Sequence, residues 1–426
     1  MAAPLKWWAR WSSILVLCVL AVGRAGAGDI VLGMSAAFTG PSRGLSIELY
    51  RGSMAYLGQV NQAGGVHGKN VVIKAYDDGY NPIPAIHNTI RLVEEDDVFA
   101  LYGYMGSPTT VRILPLLKAY DDRHMYLFFP FTGAEPQRRQ PHSDYVFNLR
   151  TSYSQETVGL VEHFLEIGRK RIGVFYQLDA YGKSGWDGVR RTLARHDIPM
   201  AGDAAYRRGT PYSESFHEQV DILRQAGADA VISIATYEAA AGFIRDARDA
   251  GWDVPIANVS GVDSENMLRL VTETGKARGK DYTANLINTQ VVPSYHQTDL
   301  PAVQEYRRLM DRYSQEPSRL LPSRELLDQD YEPPQYSFIS FEGFLNAKVL
   351  VEVLRRMPAE DVARKNRGAI KAAVESIDRL PIGIDVPVSF GPGKHQGLPR
   401  TKVYYTVLRE GRFEPLAEAD WKGWRQ

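Results

Sequence analysis

The residues of this chain that could do chemistry gather at two turns. One is the run Phe-Ala-Leu-Tyr-Gly-Tyr-Met-Gly-Ser-Pro-Thr-Thr at 99–110; the other is Met-Tyr-Leu-Phe-Phe-Pro-Phe-Thr-Gly-Ala-Glu at 125–135. Each is a short apolar stretch that stops at glycine or proline and opens into a helix, so two strand-to-helix turns should share one edge of a parallel sheet. Ser107 is a helix-capping type and Pro108 suits a first helical position. That arrangement leaves backbone N–H groups and the positive end of a helix dipole facing an anion. The chemistry is capture of a charged or polar group, not bond making.

Motifs for bond making are incomplete. Gly182-Lys183-Ser184 has the ending of a phosphate loop, but Gln177 stands where its first glycine belongs. The glycine-rich stretch 391–397 has proline in its turn and the wrong final spacing, so it reads as a surface loop near a hinge. Asp77 and Asp78 end a strand with no histidine at ligand spacing, which favours a turn over a metal or acid-base pair. Ser35 lacks the closing glycine of a nucleophile elbow, and the nine histidines form no metalloprotease pair. The sequence therefore predicts no enzyme, no cofactor and no metal.

The elements that must position the two turns alternate in type. Short β-rich runs at 30–34, 71–76, 98–102 and 126–129 separate helices near 44–61 and 83–95 and one from 108, a βαβ series that makes a parallel sheet. A stripe of Ile47, Tyr50, Met54 and Leu57 should turn the first helix onto that sheet. After 145–150 a second series begins, with strands at 171–176, 230–234 and 254–257. Its helices fall near 154–168, from 182, near 213–226 and near 237–250. The polar, proline-rich stretch 313–335 reads as a long surface loop, and 338–356 as a helix with Phe338, Phe341, Leu345 and Val349 on one face.

At 426 residues the chain exceeds one typical core, so two domains are expected. Lys plus Arg equals Asp plus Glu at 50 each, dispersed and without aromatic interleaving, which leaves no nucleic-acid footprint. Lys6 and Arg10 precede an apolar run at 14–22, and Ala25-Gly-Ala27 supplies a cleavage site, so 1–27 reads as a cleavable signal peptide. Its removal takes Lys6, Arg10 and Arg24 and leaves a small negative balance. It also takes Cys18, the only cysteine, so the mature protein would hold itself together by core size, as suits a bacterial periplasm.

Seven strings in order carry a resemblance. They are Phe-Thr-Gly-Pro at 38–41, Asn-Gln-Ala-Gly-Gly-Val-His-Gly at 61–68, Tyr-Asp-Asp-Gly-Tyr-Asn-Pro at 76–82, Gly-Tyr-Met-Gly-Ser-Pro at 103–108, Phe-Thr-Gly-Ala at 131–134, Phe-Asn-Leu-Arg at 147–150 and Asp-Ala-Tyr-Gly at 179–182. Together they resemble the leucine/isoleucine/valine-binding family of type I periplasmic binding proteins, the extracytoplasmic receptors of ABC importers. The resemblance implies an α/β fold of two doubly wound parallel-sheet lobes joined by three crossovers, placed near 150, 284 and 391. Lobe 1 would be 28–149 plus 285–390, and lobe 2 would be 150–284 plus 391–426. A small-molecule ligand would be trapped between them by a flytrap closure, which agrees with the rule that open α/β sheets bind ligands beyond the carboxyl ends of their strands.

Carried over by position, the resemblance makes Ser107 a hydrogen-bond partner of the ligand carboxylate, and Phe131, Thr132 and Gly133 donors to its carboxylate and amine. Tyr181 and Tyr237 would close over the ligand from the second lobe. Leu45 and Tyr336 would line the side-chain pocket, and Tyr153 sits just past the first crossover. One position departs: amino-acid binders carry a glutamate for the ligand ammonium where this chain has Ser260. Either Asp263 or Glu265 reaches in, or the ligand lacks an α-ammonium and is a carboxylate, amide or urea-like solute. The implied partner is an inner-membrane ABC permease, with the receptor a monomer in the periplasm. The alternative is a ligand-sensing subunit of a signalling system.

Overall fold

A computed structural model describes residues 28–424; the signal-peptide reading and Cys18 fall outside the described residues. The first lobe begins with β1 (Ile30–Ala36), α1 (Arg43–Gln62), β2 (Val71–Asp77), α2 (Pro82–Ile90), β3 (Ala100–Tyr102), α3 (Ser107–Ala119), β4 (Leu127–Phe128) and β5 (Val146–Phe147). Its strands form one parallel sheet in the order β2-β1-β3-β4-β5. The expected helix over 83–95 is α2 followed by a wider turn at Arg91–Glu95.

The second lobe adds α4 (Tyr153–Glu166), β6 (Ile172–Gln177), α5 (Ala180–Arg195), β7 (Gly202–Tyr206), α6 (His217–Gln225), β8 (Ala230–Ile234), α7 (Tyr237–Asp249), β9 (Ile256–Asn258), α8 (Ser264–Arg278) and β10 (Leu286–Gln290). The chain then returns to the first lobe through α9 (Pro301–Arg312), α10 (Phe338–Arg356), α11 (Ala359–Arg364) and α12 (Ile370–Glu375). It ends in the second with β11 (Tyr404–Arg409), β12 (Arg412–Pro415) and α13 (Glu418–Gly423). The second sheet runs β12-β11-β10-β9-β8-β6-β7, parallel except for the antiparallel edge hairpin of β11 and β12. Between α9 and α10, the loop expected over 313–335 holds only two short helical turns.

Two crossovers differ from expectation. β10 pairs with β9 and β11, so the chain leaves the second sheet after Gln290 and not near 284. Gln396 bridges to Asn148 beside β5, so the first lobe extends past 391 to that point. Both boundaries were set by strand pairings distant in sequence, which local pattern does not encode.

Strand residues alternate faces as the pleat requires. In β1, Leu32 and Met34 join one apolar cluster while Val31 packs on the other; in β6, Ile172 and Val174 face opposite to Phe175. The expected α10 stripe is buried throughout, but Tyr50 and Met54 of α1 are only half-buried. The reason is that α1 has two partners: besides the sheet it lies against α10. A Cβ on Gly52 would fall 1.7 Å from the Ser340 carbonyl oxygen, and one on Gly343 would fall 2.2 Å from that of Leu49. A single stripe cannot describe a helix packed on two sides.

Candidate functional site

The two turns lie side by side. Gly106 N–H donates to the Phe131 carbonyl at 3.1 Å and Phe131 N–H to that of Tyr104 at 2.8 Å. Ser107 is the first residue of α3 and not its cap; Gly106 takes the cap position at φ +100, where a Cβ would lie 2.2 Å from the Tyr80 ring. Only glycine serves there. The Ser107 and Thr132 hydroxyls share a hydrogen bond of 2.6 Å, and Thr132 Oγ1 accepts the Ala134 N–H at 3.1 Å. Asp77, by contrast, braces a loop: it accepts the N–H groups of Phe38, Thr39 and Gly79. Asp78 likewise accepts from Ser35 Oγ and the Tyr80 N–H, the turn role expected of the pair.

Across the gap, the Tyr153 N–H donates to the Gly133 carbonyl at 2.9 Å, joining the start of α4 to the second turn. Ser152 caps α4 through its hydroxyl, which sets Tyr153 at its first turn. The rings of Tyr153 and Tyr181 are 4.9 Å apart, and Tyr181 is set by Asp179, which caps α5. Its hydroxyl donates to the Ala235 carbonyl, two residues before Tyr237 opens α7. Tyr237 meets the start of α1, since a Cβ on Gly44 would lie 3.2 Å from its ring; Leu45 is buried next to that glycine. Ser107, Phe131, Thr132, Gly133, Tyr153, Tyr181 and Tyr237 thus gather at the seam between the lobes, with Leu45 one residue past Gly44.

Tyr336 does not join them. Its hydroxyl bonds to Asp311 on α9, its ring lies under Arg307, and its ring neighbours are Tyr295 and Tyr306. Tyr331 enters instead, donating to Glu48 Oε1 of α1 at 3.1 Å and accepting from Asn266 of α8 at 2.9 Å. The long loop carries both tyrosines, and only its path decides which one turns inward.

Ser260 sits in a charged knot. Its N–H and hydroxyl donate to the Glu156 carboxylate at 2.8 and 2.9 Å, Thr289 donates to the same carboxylate, and Arg150 donates to the Ser260 hydroxyl. The Arg150 guanidinium lies 4.3 Å from the Phe131 ring centroid and 5.5 Å from that of Tyr153. Glu342 of α10 stands 3.7 Å from its Nε, and burial pushes the Glu342 carboxyl up to about 7 against the pull of Arg150. Asp263 and Glu265 are both committed elsewhere. Asp263 caps α8 and bonds Asn266, while Glu265 accepts from the Tyr295 hydroxyl and the Phe338 N–H. Burial raises them to about 7 and about 8.

Sequence reasoning missed Arg150, Glu156, Glu342, Glu48 and Tyr331 as seam residues. A usable signal existed for three of them. Arg150 ends one of the recurring strings, and Glu48 and Glu342 interrupt apolar helix faces, where an ionisable group is rarely buried without a partner.

A family model described as periplasmic binding protein matches residues 29–411. An amino acid binding protein of Pseudomonas aeruginosa is 23% identical over 278 residues, covering 65% of this chain and 71% of that protein. A crystal structure of a possible leucine/isoleucine/valine-binding protein from Rhodopirellula baltica superposes with a TM-score of 0.78 at 29% identity, covering 93% of this chain and 97% of the other. A branched chain amino acid ABC transporter structure from Thermus thermophilus with bound valine superposes at 0.76 with 16% identity, over 92% and 96% of the two chains.

Proposed function

Because this chain belongs to the periplasmic binding protein family, we propose that it captures one small polar solute between its lobes, closes on it, and delivers it to an inner-membrane ABC permease. The family and fold are those of solute-binding proteins, not of enzymes. The observation that carries the reading is the convergence of Ser107, Thr132 and Gly133, at the carboxyl ends of the first sheet, on Tyr153 and Tyr181 of the second lobe. Contacts from both lobes exist only when the lobes meet, so a solute bridging them favours the closed form by its differential affinity. Export through the signal peptide would place the protein, as a monomer, in the periplasm.

Ligand class follows from the knot at Ser260. Glu156 and Asp263 are engaged by protein donors, and Glu265 accepts from Tyr295 and Phe338 through Oε1, while Glu342 faces Arg150. A solute without an α-ammonium, a carboxylate, amide or urea-like molecule, therefore fits better than an amino acid.

A melting screen over amino acids, amides and short aliphatic or aromatic carboxylates tests the reading. A binder specific to the native state raises the melting temperature by mass action, so at least one class should shift it in a dose-dependent way. A flat response across all three classes would exclude solute capture. With the hit in hand, Ser107→Ala is expected to weaken its Kd about tenfold, the loss of one hydrogen bond to a charged group. Isothermal titration reads this, and an unchanged Kd would take Ser107 out of the site.

A further inference from the structure

Arg150 is 2% exposed, yet its Nε and Nη1 donors have no hydrogen-bond partner; of its guanidinium, Nη2 alone is bonded, to Ser260. The Glu342 carboxylate is 3.7 Å from Nε, close enough for charge attraction and too far for a hydrogen bond. Two buried N–H groups of a permanent cation thus lack an acceptor, between the ring of Phe131 on one lobe and Ser260 on the other. Leaving such donors unmet is among the more expensive arrangements in a protein interior, and a carboxylate relieves it by accepting from Nη1, or from Nε, together with the second hydrogen of Nη2.

Taking the solute-capture reading as its premise, we propose that Arg150 is the residue that recognises the charge of the solute, and that the solute is a small organic carboxylate. Arg150 lies at the first crossover, in contact with both lobes, so a carboxylate held there counts toward closure. Phe131 and Tyr153 flank the guanidinium and keep water from competing for it. Glu342 competes with the solute for Arg150. A neutral amide leaves the Arg150–Glu342 attraction in place, whereas an anion replaces Glu342 as the partner of Arg150. The Glu342 carboxyl, facing Arg150, Glu156 and Arg138, then has reason to keep its proton.

Matched pairs decide it: isovalerate against isovaleramide, and benzoate against benzamide, titrated calorimetrically into the full-length mature protein. In at least one pair the acid is expected to bind at least tenfold tighter than its amide. Arg150→Gln should weaken the acid at least tenfold and leave the amide within threefold, with Arg150→Lys between, since lysine keeps the charge and loses the fork. Equal affinity for acid and amide, or equal weakening of both by Arg150→Gln, overturns the assignment while solute capture stands on the screen above. If Arg150→Gln does not fold, Glu342→Gln decides: removal of the competing carboxylate should tighten the acid severalfold, and no change or a loss overturns the proposal. Absence of binding by any acid, alongside an amide or amino-acid hit in the screen, overturns it as well.

Discussion

Gly343→Ala is expected to destabilise the first lobe by about 3 kcal/mol or more, at or beyond the upper end for overpacked interiors. On an exposed helix the same change would stabilise by roughly 0.5–1 kcal/mol, because alanine loses less freedom on folding than glycine. The sign reverses here because the new methyl would lie 2.2 Å from the Leu49 carbonyl oxygen, and backbone cannot rotate away as a side chain can. The helices would have to separate. That would strip the Gly343 carbonyl of the Ser53 and Tyr102 hydroxyls that donate to it at 3.1 and 3.3 Å. Gly52→Ala should do the same from the other helix, where the clash is with the Ser340 carbonyl at 1.7 Å. Chemical denaturation of both variants reads the loss; a midpoint equal to that of the unaltered protein would mean that α1 and α10 do not pack backbone to backbone.

Stability should fall as pH rises from about 5 to about 8, by several degrees in melting temperature. Four buried carboxyls drive this. Burial lifts Asp78 to about 7 against the Ser35 and Tyr80 donors, and lifts Asp263 to about 7 with help from Glu48. It lifts Glu265 to about 8, with Asp263 adding repulsion, and Glu342 to about 7 despite Arg150. Unfolded, these groups release their protons near 4, so between the two values the folded chain holds more protons. Stability then declines with pH; it is fully present below the unfolded values and lost as pH climbs through the folded ones. His142 and His296, which burial holds below 6.5, act in the opposite sense as pH drops through 6.5, but they are only partly buried. Asp96, Asp97 and Asp249 sit below their ordinary values and matter only at lower pH. Melting curves from pH 5.5 to 8 at fixed ionic strength check the sign. Glu342→Gln should flatten the slope, and a melting temperature that rises across this range would refute the account.

Much of the site was legible because it is local. A short apolar run, a glycine and a capping residue specify a strand-to-helix turn wherever they occur, and two such turns on adjacent parallel strands must come out at one edge. That logic located the turns that carry Ser107 and 131–133; Tyr153, Tyr181 and Tyr237 rested on the resemblance, and each opens or nearly opens a helix at the facing edge. Even here the register was off by one at the helix start. The left-handed conformation of Gly106 is demanded by the Tyr80 ring, which arrives from a different loop.

By itself the sequence determined the two α/β layers, the strings that tie the chain to its family, and the turn residues, because each depends on neighbours within one or two helical turns. Only the tertiary structure decided which tyrosine of the long loop faces inward, which sheet β10 joins, and that Arg150 lies buried with donors to spare. Those outcomes depend on partners such as Glu342, β11 and Asn266 that are far off along the chain. No period or propensity of a local segment carries the energy of a contact with a residue dozens of positions away or more.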